Sequence, residues 1–167
     1  TQLRSELQGD AYVISGLDDI AWLLNLRGND VAMNPVSISY VIVTADAVTF
    51  YSDPDKVTDA VAQYLTDLNV FCKNYTDFAA DLQQLSGTVN FDSKTTTAWV
   101  QQQLQHATPQ ACHSLTALPK AIKNQVEQAG MQEAHRRDAL SLIKFFHWLE
   151  NNWQGQTELS LMQKLYE

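Results

Sequence analysis

Residues Leu17 to Tyr40 read LDDIAWLLNLRGNDVAMNPVSISY, and this stretch decides the fold class. Leu17, Ile20, Ala21 and Leu24 recur at helical spacing, so it opens as a short amphipathic helix. Ser15 with Asp18 three residues on predicts a capping box at its start. Arg27-Gly28 predicts its end, with Gly28 taking a positive φ. Asn34-Pro35 biases the backbone toward an extended entry. From Val36 to Val43 the residues alternate. Val36, Ile38, Tyr40 and Ile42 point one way and Ser37, Ser39, Val41 and Val43 the other, which predicts a strand.

Outward from this core the same alternation of elements continues. Ala11 to Ile14 is a short apolar strand ahead of the helix. Ala45-Asp46-Ala47 predicts a turn into a strand over Val48–Tyr51, making a hairpin. Asp53-Pro54 predicts a helix start with Pro in its first turn, and Val57, Val61, Leu65 and Leu68 form its buried stripe. Val70–Cys72 reads as a brief strand. Asn74 with Asp77 predicts a cap for a helix carrying Phe78, Leu82 and Leu85, stopped by Gly87. Val89-Asn90-Phe91 is a strand, and Asp92-Ser93 predicts the cap of a helix with Ala98, Trp99 and Leu104. Pro109 is an interruption, and Ala111–Leu115 a last strand. Strands alternating with helices, plus one hairpin, predict an α/β fold with a mixed sheet flanked by helices.

After Pro119 the pattern changes to helix alone. Asn124 with Glu127 predicts a capping box and a helix running to about Asn152, stopped by Gly155, with Thr157 capping a second, shorter one. Two C-terminal helices with no strand between them predict a domain boundary near Ala121 to Asn124. From Ala139 to Leu149 the long helix is apolar nearly all round, and such a helix needs cover on every side. Phe145, Phe146, Trp148 and Leu149 are therefore candidates for self-association.

Composition narrows the function. The chain has 167 residues with a hydrophobic fraction of 45%, enough for one domain with a real core and some extra. Eleven basic against nineteen acidic residues give a net charge of −8, with no Lys/Arg cluster. That balance argues against nucleic acid and against anionic membrane surfaces. No apolar run approaches the roughly 20 residues of a membrane span. Thr1-Gln2-Leu3-Arg4 lacks an initiator Met and reads as the tail of a helix begun upstream. Cys72 and Cys112 lack metal-type spacing and read as two small buried hydrophobes in a reducing compartment.

Two stretches carry a family resemblance. The Leu17–Tyr40 segment resembles the middle domain of the three-domain form of aminopeptidase P, in the creatinase–prolidase superfamily. Ala121-Ile122-Lys123-Asn124, followed by Glu127, Gly130-Met131 and Ala134-His135, resembles the entry into that family's catalytic domain. The resemblance runs from about Tyr12 to the C-terminus. It implies a creatinase N-terminal-like sheet of about six strands, akin to ribonuclease H. By this reading residues 1–120 form a non-catalytic middle domain, and 121–167 the first helices of a truncated pita-bread metallopeptidase domain. The parent protein would be a cytoplasmic, homo-oligomeric hydrolase that removes an N-terminal residue before proline. It would use two divalent metals, typically manganese, bound by residues downstream of this segment. No cofactor is expected in the segment itself, and the segment alone is expected to be inactive. Its partners would be the missing catalytic domain and a peptide with proline at the second position. The alternative is a stand-alone binding or dimerisation module of the same fold without peptidase activity.

Within the segment, independent chemistry is hard to assemble. His106, His113, His135 and His147 include no pair at i, i+4 and no His-Glu-x-x-His, so they read as surface residues. Cys112-His113 are adjacent, and their side chains point apart on a strand. Asp53 and Asp92 follow strands, as a ribonuclease-like site would need, but stand where helix N-caps are expected. Trp22 reads as core. Arg27 is the strongest polar candidate, for the substrate cleft. It sits in the polar corner Asn25-Leu26-Arg27-Gly28-Asn29-Asp30, and its structural alternatives are an ion pair with Asp30 or a helix C-terminus.

Overall fold

The computed structural model describes residues 2–167. Of the N-terminal reading, Thr1 lies outside the described residues, and a one-turn helix α1 spans Gln2–Ser5. Six strands form one mixed sheet: β1 (Ala11–Ile14), β2 (Ser39–Thr44), β3 (Val48–Ser52), β4 (Val70–Asn74), β5 (Gly87–Asp92) and β6 (Ala107–Cys112). Their order is β4-β3-β2-β1-β5-β6. β1, β2 and β3 pair antiparallel, while β3·β4, β1·β5 and β5·β6 are parallel. The parallel pairs require crossovers, which helices supply. α3 (Asp59–Asp67) links β3 to β4 and α5 (Ala98–Gln103) links β5 to β6, while α2 (Leu17–Leu23) joins β1 to β2 and α4 (Phe78–Gln84) joins β4 to β5. α6 (Ala117–Ala121), α7 (Gln125–Asn152) and α8 (Glu158–Tyr166) complete the chain.

The central strands of the sheet are buried on both faces, which is why they are rich in Val, Ile and Phe, while the edge strands β4 and β6 are mostly exposed. On one face Ala11, Val13, Ile42 and Val89 meet Phe78 and Leu82 of α4 and Val100 and Leu104 beside α5. On the other, Tyr12, Ile14, Val41, Val43 and Phe50 meet Ile20 and Leu24 beside α2 and Leu65 of α3. Each large side chain buried in this way stabilises the fold by about 1.5–3 kcal/mol. The described residues divide into two compact units between Ala121 and Ile122. The second unit consists of α7 and α8. α7 opens with the full Asn124–Glu127 capping box, Gly155 takes a φ of +79° after it, and Thr157 caps α8.

Several local expectations are corrected. The Ser15–Asp18 box does not form: the N-cap of α2 is Gly16, without a side-chain cap, and the hydroxyl of Ser15 is buried without a partner. The left-handed residue after α2 is Asn25 at φ 49°, not Gly28. Gly28 serves close approach instead, because a Cβ there would sit 2.7 Å from that of Ser37. The second strand starts only at Ser39, since Asn34 and Val36 are engaged in a turn. The helix expected from Asp53 is two pieces. Asp53 caps a 3-10 turn over Pro54–Lys56, Val57 is extended, and Thr58 caps α3. Likewise Asn74 caps a 3-10 turn over Tyr75–Asp77 before α4. Asp92 caps a turn through the amide of Lys94, and α5 begins later, after Thr97. Pro109 does not interrupt β6; it lies inside it, which an edge strand permits because the missing N–H need not serve a neighbour. Cys72 is exposed on the edge strand β4 and Cys112 is half-buried, so neither is a buried hydrophobe; both are free thiols. The described peptide bonds are all trans, Asn34–Pro35 included.

Candidate functional site

The Arg27 corner is built by the way α2 meets the sheet. Leu24 is buried, Asn25 turns the chain through its left-handed backbone, and Leu26 returns to pack on the core. Arg27 is thereby pushed outward and is exposed. The segment beyond it folds back on itself. The amides of Gly28 and Asp30 donate to the carbonyls of Pro35 and Val36, and Asn34 N–H donates to Val31 O at 3.1 Å. Met33 holds a φ of 65° at the tip of this finger and is highly exposed. A bulky residue in that backbone region is uncommon.

Between this corner, the strands and the 3-10 turn lies a cleft of about 180 Å³. Arg27, Gly28, Asn29, Asp30, Ser37, Ser52 and Lys56 supply its polar wall, and Leu26, Phe50, Val57 and Val61 its apolar floor. Arg27 Nη1 donates to the carbonyls of Ala21 and Leu26, both at 2.8 Å. Of its two structural alternatives, the helix C-terminus is therefore the one realised. Asp30 is taken by others: Lys56 Nζ lies at 2.9 Å and the amide of Ile38 at 2.8 Å. Those bonds, first from Lys56 and then from Ile38, hold the Asp30 carboxyl below its usual range, and the same pair pushes the Lys56 ammonium up. The cleft thus offers two cations, one of them committed to an anion, with backbone amides and two serines around them. Such a wall suits a carboxylate or a peptide carbonyl.

The other sequence candidates do not converge. All four histidines are exposed. Asp53 and Asp92 leave β3 and β5 at the same end of the sheet, but three strand spacings separate those strands, roughly 14 Å. Among the described residues no three His, Cys, Asp or Glu side chains gather in a way that could hold a metal ion. Trp22 is half-buried beside the core. Of the α7 candidates, Phe146 is exposed, whereas Phe145, Trp148 and Leu149 are half-buried. Phe145 stacks near Phe146 and Trp148 with ring centroids at 5.8 and 6.2 Å, and Lys164 of α8 lies over the Trp148 ring.

Two polar clusters escaped the sequence reading. Tyr51 Oη donates to Asp81 Oδ2 at 2.6 Å, and Lys73 Nζ donates to the same oxygen at 2.7 Å. Burial, then the Asp81 carboxylate, push the Tyr51 phenol far up. Nearby, Tyr40 stacks flat on Phe78 at 3.9 Å and against Tyr75 at 5.3 Å; burial raises its phenol to about 12. The second cluster joins Lys120 to Asp18 and Asp19 across most of the first unit. Its one visible signal is the Asp-Asp pair in the first turn of α2, where carboxylates favour the helix dipole.

Comparison with known proteins gives a consistent set of relatives. The family described as the Creatinase/Prolidase N-terminal domain matches residues 1–127. A probable Xaa-Pro aminopeptidase P of Sordaria macrospora is 42% identical over 166 residues, covering 90% of this chain and 27% of that protein. Its Neurospora crassa counterpart is 40% identical over 166 residues, covering 90% of this chain and 24% of that protein. Among solved structures, X-prolyl aminopeptidase from Caenorhabditis elegans, described as a cytosolic enzyme with a di-nuclear active site, superposes with a TM-score of 0.85. Its identity is 28%, over 98% of this chain and 29% of that one. An Xaa-Pro dipeptidase from Bacillus anthracis shares the fold at a TM-score of 0.74 and 14% identity, over 98% of this chain and 46% of that one. The chain spans about a quarter of the length of the curated relatives it matches.

Proposed function

This chain belongs to the creatinase/prolidase N-terminal domain family, and on that premise we propose that it works as the non-catalytic domain of an Xaa-Pro aminopeptidase, walling one side of the cleft that admits peptides. Residues 1–120 form that wall, and 121–167 begin the catalytic domain. The reaction of the whole enzyme is hydrolysis of the bond between an N-terminal residue and a following proline. The metal pair that would polarise the scissile carbonyl and activate a water is assigned in this reading to the remainder of the enzyme, with manganese as the metal, since among the described residues no three His, Cys, Asp or Glu side chains gather as a ligand set. A cytoplasmic setting is part of the same reading.

The observation that carries this reading is the Arg27 cleft. A cation at the rim of an apolar-floored groove, with Lys56 already paired and Arg27 free of any carboxylate among the described residues, is suited to grip the carboxylate or carbonyls of a peptide. The test is to join this chain to the catalytic region of the Sordaria relative and to replace Arg27 by Ala. The expected result is a fall in kcat/KM on Xaa-Pro peptides of roughly tenfold, with the fold intact. Unchanged kinetics would remove Arg27 from the cleft and leave it as a helix cap. Activity or stoichiometric metal in the 167-residue chain alone would overturn the non-catalytic assignment.

In the same proposal the apolar stretch of α7 packs against the rest of the enzyme, and the isolated chain self-associates through Phe146 with Phe145, Trp148 and Leu149. Sedimentation velocity on Phe146→Glu against the unaltered chain tests it. A chain that is monomeric before the change would sink it.

A further inference from the structure

α6 is the last element of the first unit, and its Lys120 reaches back about a hundred positions to α2. Lys120 Nζ donates to Asp19 Oδ1 at 2.9 Å and also to Asp18 Oδ2. Exposed ion pairs generally hold little, since water and salt screen them. This one is placed differently. Asp19 is only 7% exposed, so removal of the ammonium would leave a buried carboxylate without its cation. The surround is fitted to that carboxylate: a Cβ at the buried N-cap Gly16 would stand 2.8 Å from Asp19 Oδ2. Asp18 responds as well, its carboxyl held below the usual range first by the hydrogen bond from Lys120.

The other end of α2 is held by a second cation. Arg27 donates to the carbonyl of Ala21, in the last turn of this seven-residue helix. α2 therefore stands between two anchors, Lys120 at its first turn and Arg27 at its last. The chain departs from the first unit one residue after Lys120. We infer that Lys120 is a positioning residue: its clamp on Asp18 and Asp19 fixes the direction in which the chain leaves the first unit, relative to the helix that carries the Arg27 cleft. All three residues belong to the first unit. A lysine suits this task because one compact ammonium with three donors can serve two carboxylates at once. The inference stands apart from the peptidase reading, since it concerns only where the chain is led.

The test is a distance measurement between nitroxide labels by pulsed electron spin resonance. One label goes on the exposed Cys72 and one on α6 through the exposed Leu118→Cys, both in the first unit, with Cys112→Ser to leave no other thiol. The expected result is a narrow distribution for the parent chain and one at least twofold broader for Lys120→Met, with Lys120→Arg restoring most of the width. A Lys120→Met chain with an unchanged near-ultraviolet spectrum and an unchanged width would overturn the inference, as would a parent distribution that is already broad. If Lys120→Met fails to fold, Asp18→Asn with Asp19→Asn takes its place, retaining the lysine; broadening supports the clamp and an unaltered width overturns it. Peptidase activity enters none of these outcomes.

Discussion

The two units of this chain are held by different physics. Every buried hydrophobic side chain among the described residues lies in the first unit, from Ala11 to Leu104, whereas α7 and α8 contain no buried residue. The first unit is therefore specified by contacts between distant segments. The second is specified by neighbours along one helix: two capping boxes, and Glu133 bridging Arg136 and Arg137. Such local pairs are worth only a few tenths of a kcal/mol each. Helices of this kind draw most of their stability from packing on something else. The difference teaches that the second unit has well-formed secondary structure and little tertiary structure of its own.

The contrast can be broken most readily in the core. Phe78→Ala should destabilise the first unit by about 3–5 kcal/mol, through lost burial and the cavity left behind, whereas Phe146→Ala should cost under roughly 0.5 kcal/mol. Urea unfolding followed by near-ultraviolet circular dichroism measures both, and comparable losses would erase the distinction.

Hydrogen exchange sharpens it without mutation. Amides of β1 and β2 should exchange only through global opening, and those of α7 through fraying and local opening, orders of magnitude faster. Equal protection in both units would mean that α7 is supported by tertiary packing as the strands are.

A smaller effect is expected at the cap. Asn124→Ala removes the side chain that accepts from Glu127 N–H at 2.9 Å and should cost about 1 kcal/mol. The loss should appear as reduced ellipticity at the helix band, with the unfolding midpoint of the first unit unmoved. A shift of that midpoint would tie the two units together energetically.

The smallest effect is in acid. The Asp18 carboxyl is held below its ordinary 3.8 in the fold, so the clamp contributes stability that is complete above that value and is lost as pH falls through the lower folded one. Asp18 is largely exposed, so screening keeps this contribution small. Midpoints measured below pH 4 should fall less steeply for Lys120→Met than for the parent chain; parallel acid limbs would remove the linkage.

Much of the fold was legible because periodicity survives tertiary context. Five of the six strands and the long capped helix can be placed from alternation, helical spacing and the Asn124–Glu127 pair, whereas the sixth, expected over Ala111–Leu115, runs Ala107–Cys112. The misses have local causes. Thr58-Asp59 is itself an N-cap signal, and it outcompeted the Pro54 start and split the expected helix. Asn25 takes the left-handed backbone, as asparagine does more readily than most residues, so Gly28 was free for a different use. Pro109 reads as a breaker unless the strand is known to be an edge, and strand order is a non-local property. For the same reason Arg27 was visible as a polar corner while Lys56, its neighbour in the cleft, was not. Lys120 was less visible still, for nothing in Pro119-Lys120-Ala121 points to a helix a hundred residues earlier.

Pro109 has one more consequence, for growth of the sheet. A strand that joined at β6 would meet a position with no N–H to offer, so pairing along that border is weakened. The border at β4 carries no proline and presents Phe71 and Cys72 to solvent. The sheet is thus a tile with one guarded side and one open side. Association by strand pairing is therefore disfavoured at β6 and left to β4, and a pair joined antiparallel at β4 would turn its proline-bearing borders outward, which disfavours growth beyond two copies.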